Sequence, residues 1–249
     1  MINIILPIAS NKLVDDNDNF QYPLPLVEIN GKSLIEYTLD GLNSIGNDVK
    51  YIFILNENDC TKYHFDNTLK LLKPDCEIIK VKGVTSGAIC SILMGIDVID
   101  QNSELLILNF DQYINYNLSS IINKFRENKA DGGVVTFNSV HPRWSYARVI
   151  NNNVLETAEK NPISNFAIAG FYYFKNAYIF IESAFKVIKY NENYNGKYYT
   201  SSVFNQLILK NLNIKNILIE KECYYSFYST QKVKEFENYL IINEKIQSK

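Results

Sequence analysis

Arginine is scarce in this chain, with only Arg126, Arg143 and Arg148 among 249 residues. Acids and bases nearly balance, giving a net charge of -2 and a pI near 5.8. There is no broad positive field for a nucleic-acid backbone, so any grip on phosphate must be local. Cys60, Cys76, Cys90 and Cys223 are far apart without a CxxC pair, and His64 and His141 stand alone. That spacing argues against structural zinc and against a disulfide framework, and favours reduced, buried thiols in a cytoplasmic protein. No long hydrophobic run is present: the apolar stretch Ile2 to Ala9 breaks at Ser10-Asn11-Lys12, too short for a signal peptide or a membrane helix. Expected partners therefore exclude nucleic acid and membrane insertion; homo-oligomerisation is left open. With 47% hydrophobic and 21% charged residues, the chain has ordinary globular usage and the length for one domain.

What is present is a repeated strand-then-helix pattern. Ile2 to Ala9 reads as a buried strand followed by a polar loop, Ser10 to Tyr22, and Pro23 and Pro25 then fix an extended stretch. Ser33-x-x-Glu36 is a capping box that opens a helix to about Ser44. Strands follow at Val49 to Asn56, Cys76 to Lys82 and Leu105 to Asp111, with helices at Asp59 to Lys73 and Gly87 to Ile99 between them. Such succession implies a parallel sheet with right-handed crossovers. After a helix near Leu118 to Asn128 the texture changes. Gly133 to Ser139, Ala147 to Ile150, Val154 to Ala158 and Ala167 to Lys175 read as strands, the middle two joined in a hairpin by Asn151-Asn152-Asn153. Helices are expected at Ala177 to Lys189, at Tyr199 to Lys210 and from about Gln231, with a late strand at Ile214 to Glu220. The expected fold is α/β with a mixed central sheet in a single domain, 1–249, whose halves are 1–130 and 131–249.

Leu105 to Tyr113 is the segment on which the rest converges. Its apolar run suits a strand buried on both faces and ends in Asn109, Asp111 and Gln112. In open α/β sheets ligands bind outside the carboxyl ends of the strands, so Asp111 is a candidate holder of a divalent metal carrying phosphates; capping the next turn is the alternative. Ala9 and Ser10, with Lys12 beyond them, approach the same rim. So does the turn Thr85-Ser86-Gly87-Ala88, whose small residues admit a base or phosphate near the backbone or else simply start a helix. Glu159 could bind hydroxyls of a polar substrate and Lys160 could neutralise its phosphate, unless they form a solvated surface pair. Trp144 and Tyr146 either wall a pocket or plug the core.

Several of these segments resemble sugar-phosphate nucleotidyltransferases. Tyr22-Pro23-Leu24-Pro25-Leu26 through Gly31-Lys32 is similar to that family's P-K-P-L…G-K segment, and Asn109-Phe110-Asp111-Gln112-Tyr113 to its metal-binding strand end. Asp131 to Arg148, Glu159-Lys160-x-Pro162-Ile163-Ser164, Ala169 to Phe174 and Asn195 to Tyr199 resemble a bacterial branch found among capsule and surface-glycan genes. The resemblance implies a Rossmann-like, glycosyltransferase-A type fold. It also implies Mg²⁺-dependent nucleotidyl transfer from a nucleoside triphosphate to a small phosphorylated acceptor, with release of pyrophosphate. By it Asp111 holds Mg²⁺, and Thr85, Gly87 and Ala88 line the nucleoside. Glu159 and Lys160 face the acceptor, and Gly170 allows its close approach.

The sequence departs from the family in its cations. Pro7 to Val14 lacks both glycines of the phosphate loop and has Val14 where an arginine is usual. Leu24 replaces the lysine of P-K-P, Ser226 to Gln231 stands where a Gly-Thr motif and a second metal-binding aspartate would lie, and Lys197 replaces an acid. Lys12 is the candidate to reach the phosphates instead. Two further functions fit these departures: an impaired homologue that binds a nucleotide or sugar nucleotide as a regulatory or scaffold subunit, and a glycosyltransferase of the same fold.

Overall fold

The computed structural model describes residues 1–9 and 22–247, with side chains as far as Asn243. In chain order its strands are β1 (Ile2–Ile8), β2 (Glu28–Ile29), β3 (Lys32–Ser33), β4 (Val49–Asn56), β5 (Glu77–Val81), β6 (Glu104–Leu108) and β7 (Gln112–Ile114). They continue with β8 (Gly132–Asn138), β9 (Ser145–Ile150), β10 (Asn153–Glu159), β11 (Phe166–Phe174), β12 (Ile214–Leu218) and β13 (Tyr224–Ser226). The helices are α1 (Leu34–Leu42), α2 (Glu57–Tyr63), α3 (Phe65–Leu72), α4 (Ala88–Leu93), α5 (Leu118–Glu127), α6 (Ala177–Lys189), α7 (Thr200–Leu209) and α8 (Thr230–Gln247).

Nine strands form one mixed sheet in the order β5-β4-β1-β6-β11-β8-β12-β10-β9. The first four are mutually parallel; β11 runs against both β6 and β8, and β12 lies parallel to β8. Strand order thus reverses between β1 and β6, the topological switch where the chain leaves a crevice at the carboxyl edge.

Burial on both faces explains why these strands read as continuous apolar runs. In β1, Ile2, Ile4, Leu6 and Ile8 pack on one side with α1, α5 and the start of α8, while Ile5 packs on the other with α4, α6 and α7. Leu106 and Leu108 of β6 face the first layer and Leu105 and Ile107 the second, as a period of two requires.

Four local expectations change. The Pro23–Pro25 stretch is not extended: Leu24–Leu26 is a 3₁₀ turn, with proline at a first-turn position where its missing N–H costs nothing. The helix expected over Asp59 to Lys73 is two, broken at His64, which takes a left-handed φ of 53°. The helix expected over Gly87 to Ile99 stops at Leu93 and resumes only as a 3₁₀ turn at Ile96–Val98. The strand expected to run through Asp111 ends at Leu108, and a separate short strand, β7, starts at Gln112 and pairs with β13. The capping box is present, with Glu36 Oε2 accepting from Ser33 N at 2.7 Å and Ser33 Oγ at 2.6 Å. Asn151 and Asn152 take φ of 48° and 62° in the β9–β10 turn.

Candidate active site

The crevice at the switch point is framed by Ala9, buried at the end of β1, and by Asn109 to Asp111 after β6. Asp111 is held by its backbone: its carbonyl accepts the Phe227 amide at 2.8 Å, extending the β7–β13 ladder. Its half-buried carboxylate forms no ion pair among the described residues. Burial pushes its pKa up, partly offset by its own backbone amide. Beside it runs Phe227, with its ring in the core, so the chain segment nearest the Asp111 backbone brings no second carboxylate.

The second acid is built differently. Glu159 closes β10 opposite Ser145, and its Oε2 accepts from Ser145 Oγ and, at 2.9 Å, from Ser201 Oγ at the start of α7. Burial raises its pKa, and the two serine hydroxyls and Lys160 pull it back. Tyr172, on β11, joins the two acids. The pKa of its buried hydroxyl is raised by burial and then by the field of Glu159, with Ser145 pulling it back and Asp111 adding a smaller push. Lys160 takes φ of 50°, a conformation costing a lysine roughly 1 kcal/mol or more. That turn brings its exposed ammonium to 5.7 Å and 5.5 Å from the rings of Tyr194 and Tyr199. One carboxylate without a partner, one pre-oriented, and a cation on tyrosines make a rim suited to a polar, phosphorylated molecule.

The other expected residues distribute unevenly. Ser10 and Lys12 lie outside the described residues. Thr85 Oγ1 meets Ser91 Oγ at 2.6 Å, and Ser86 is exposed but its carbonyl accepts the Tyr198 amide at 2.8 Å. Gly87, at φ 109°, is where a Cβ would stand 2.5 Å from the Tyr198 carbonyl oxygen. Its lack of a side chain therefore serves the close approach of Tyr198, with Ile89 N donating to the same oxygen at 3.2 Å, rather than demanding a ligand. Ala88 opens α4 directly above this contact.

Gly170, at φ 59° in the β11 bulge, is likewise crowded by protein. A Cβ there would lie 2.6 Å from both Asn109 Nδ2 and Gln112 Oε1, and its carbonyl accepts Asn109 N at 2.9 Å. Tyr146 is wholly buried with its hydroxyl donating to the His141 carbonyl at 2.6 Å, so it plugs the core and shows no face to an acceptor. Trp144 is half-buried, its indole packed against Phe137, Tyr224 and Tyr228. Sequence reasoning missed Tyr172, Ser145 and Ser201, although Ser145 sits inside a segment singled out for its aromatics.

No group of three or more His, Cys, Asp or Glu side chains among the described residues could cage a metal. Asp111 alone still fits Mg²⁺, because that ion keeps several waters and binds through one or two carboxylates plus substrate phosphates. No described helix is long and apolar enough to cross a membrane.

The fold has known counterparts. The nucleoside-diphosphate-sugar pyrophosphorylase of Vibrio cholerae RC9 is 21% identical, with a TM-score of 0.79 over 96% of this chain and 100% of its own. A UDP-glucose pyrophosphorylase complexed with UDP-glucose is 17% identical, with a TM-score of 0.74 over 98% and 100%. No curated protein matches the chain. The α/β fold with a mixed sheet is thus that of nucleotidyltransferase structures. The family profile described as nucleotidyl transferase spans residues 20–221, most of the sequence, and the chain belongs to that family.

Proposed function

We propose that the protein transfers a nucleotidyl group from a nucleoside triphosphate to a sugar phosphate or similar small phosphorylated acceptor in the cytoplasm. The observation that carries this is the pairing of two unlike acids at one rim, Asp111 without a counter-charge and Glu159 held by two serines, with Tyr172 between them. An oxygen of the acceptor phosphate attacks the α-phosphorus, the bond from that phosphorus to the bridging oxygen of the β-phosphate breaks, and pyrophosphate leaves. Asp111 would hold Mg²⁺, which when bound neutralises charge on the triphosphate. Glu159 accepts hydrogen bonds from the acceptor's hydroxyls through the oxygen that its serines leave free, and Lys160 meets its phosphate. Residues 1–130 carry the nucleotide and 131–249 the acceptor. Catalysis here is alignment and charge neutralisation with no covalent enzyme intermediate. The resemblance to the capsule and surface-glycan branch supports an activated building block for a surface polymer as the product.

Two observations favour a second reading, a nucleotide-binding homologue that has lost turnover. Leu24, at the place of the family's lysine, is buried in its 3₁₀ turn, and Phe227 beside Asp111 is apolar. Calorimetric titration with CTP, UTP, GTP, dTTP and ATP, with and without Mg²⁺ and on Asp111→Ala, identifies the base. Pyrophosphate release with sugar 1-phosphates then decides between the readings. Magnesium-dependent binding lost in Asp111→Ala and followed by release supports transfer. Binding without release supports the second reading. If no triphosphate binds, both fail, and a diphosphate-sugar should be tried as the donor of a glycosyltransferase.

A further inference from the structure

Trp144 lies in the bend that leads into β9, and Ser145 opens the strand. Ser145 donates to Glu159, while the Trp144 indole packs edge-on against Phe137, Tyr224 and Tyr228 at centroid distances of 5.6, 5.7 and 6.1 Å. A cleft of about 490 Å³ opens there, between the β8–β9 connection and the β13–α8 segment. That volume suits a small molecule. Tyr224 stands on the boundary, its hydroxyl donating to Gln112 Oε1 at 3.1 Å, so an aromatic wall divides this cleft from the Asp111 rim.

The cleft's charges are unevenly used. Lys232 is paired with Glu235. Arg143 and Lys221 form no ion pair among the described residues. The guanidinium carbon of Arg143 lies over the Tyr228 ring, 3.3 Å from its centroid and close enough to stack, and its Nε donates to His141 Nδ1 at 3.4 Å. Stacking fixes the plane of the fork and leaves its terminal N–H groups to be used edge-on, the geometry that grips two oxygens of a phosphate.

We propose that this cleft is a second ligand site, separate from the Asp111–Glu159 centre. It takes a small phosphate-bearing molecule whose phosphate pairs with Arg143 and whose ring lies against Trp144. Lys221 adds a second positive charge at the mouth. The ring is a nucleotide base or a sugar, and the two are separable by experiment.

Trp144 is the only tryptophan of the chain, so tryptophan emission reports on this cleft directly. The full chain is titrated, without magnesium, with UMP, with glucose 1-phosphate and with inorganic phosphate. A saturable change with UMP assigns a base to the Trp144 wall, one with glucose 1-phosphate assigns a sugar, and inorganic phosphate should act only at higher concentration. Arg143→Gln should raise the half-saturating concentration about tenfold, while Asp111→Ala leaves it unchanged. No emission change with any probe overturns the proposal, as does an unaltered titration in Arg143→Gln. A change abolished by Asp111→Ala also overturns it, because Trp144 would then be reading the reaction centre. Neither turnover nor a triphosphate enters the measurement, so loss of nucleotidyl transfer would leave its outcome intact.

Discussion

Strand β6 has a carboxylate at its start and another just beyond its end, and the two are treated in opposite ways. Glu104, at the start, accepts from Arg126 Nε at 2.9 Å and from the Tyr173 hydroxyl at 2.5 Å. Burial alone would raise its pKa, but the Arg126 and Tyr173 hydrogen bonds outweigh it and hold the pKa below the usual glutamate range. Asp111, past the end, is also partly buried but has no such partners, and its pKa goes up. An acid whose charge is satisfied by its own fold holds the fold together. One desolvated with no counter-charge is ionised at a cost that a proton or a bound cation relieves, a condition common at binding sites. The difference follows position: at the amino end of β6, Arg126 of α5 and Tyr173 of β11 reach Glu104, whereas past the carboxyl end, next to the reversal point, no described cation pairs with Asp111.

Removing the unpartnered charge should have the largest effect on activity and the smallest on the fold. Asp111→Asn is expected to lower nucleotidyl transfer by about a hundredfold or more, the loss typical of one transition-state electrostatic contact. Its thermal midpoint should stay level or rise at pH 7, since a desolvated charge is gone. Initial rates of pyrophosphate release and a melting curve check both halves. A midpoint that drops by several degrees would make Asp111 structural, like Glu104, and break the comparison.

Glu104→Gln should do the reverse. Losing charge-assisted bonds to a half-buried carboxylate costs about 2 kcal/mol, about thirtyfold in the folding equilibrium, with the transfer rate of the folded enzyme unchanged. The pH dependence has a definite sign. Glu104's folded pKa lies below its unfolded value, near 4.3, so its contribution is full above about pH 4.3 and is lost as pH falls through the folded pKa. Chemical denaturation of parent and variant should therefore differ by a constant amount from pH 6 to 8 and converge below about pH 4.

Both ends of β6 were visible in the sequence to different degrees. The apolar run and the acid at its end were legible because a doubly buried strand has no polar alternation and Asp111 interrupts it abruptly. Glu104 was not, since Arg126 and Tyr173 reach it from 22 and 69 residues away. The same distance hid the Glu159 clamp: Ser201 lies 42 residues on, and nothing about its neighbours marks it. Aromatic residues misled in a patterned way. Trp144 and Tyr146 stand two residues apart and join the same apolar cluster, yet Trp144, in the bend before β9, lines a cleft and Tyr146, inside the strand, fills the core. Gly87 and Gly170 are pressed by Tyr198 and by the Asn109 and Gln112 side chains, and a sequence cannot say whether the thing approaching a glycine is a ligand or the protein itself.

Glu159 falls between the two ends of β6, and it sharpens the contrast. Like Asp111 it is desolvated, and like Glu104 it accepts side-chain hydrogen bonds, but its donors are neutral hydroxyls that orient one oxygen without neutralising the charge. Glu159→Gln keeps the shape and one acceptor oxygen, so the serines retain a partner and the thermal midpoint should move by no more than a degree or two. What is lost is the charge on the oxygen that the serines leave free, which in the proposed reading meets the acceptor. Hydrogen bonds to a charged group exceed neutral ones by about 1 kcal/mol, which sets the expected rise in acceptor KM at about five- to tenfold with the nucleotide KM unchanged. Steady-state kinetics with each substrate varied in turn separates the two. A rise confined to the nucleotide would place Glu159 on the triphosphate side of the crevice and move the acceptor away from β10.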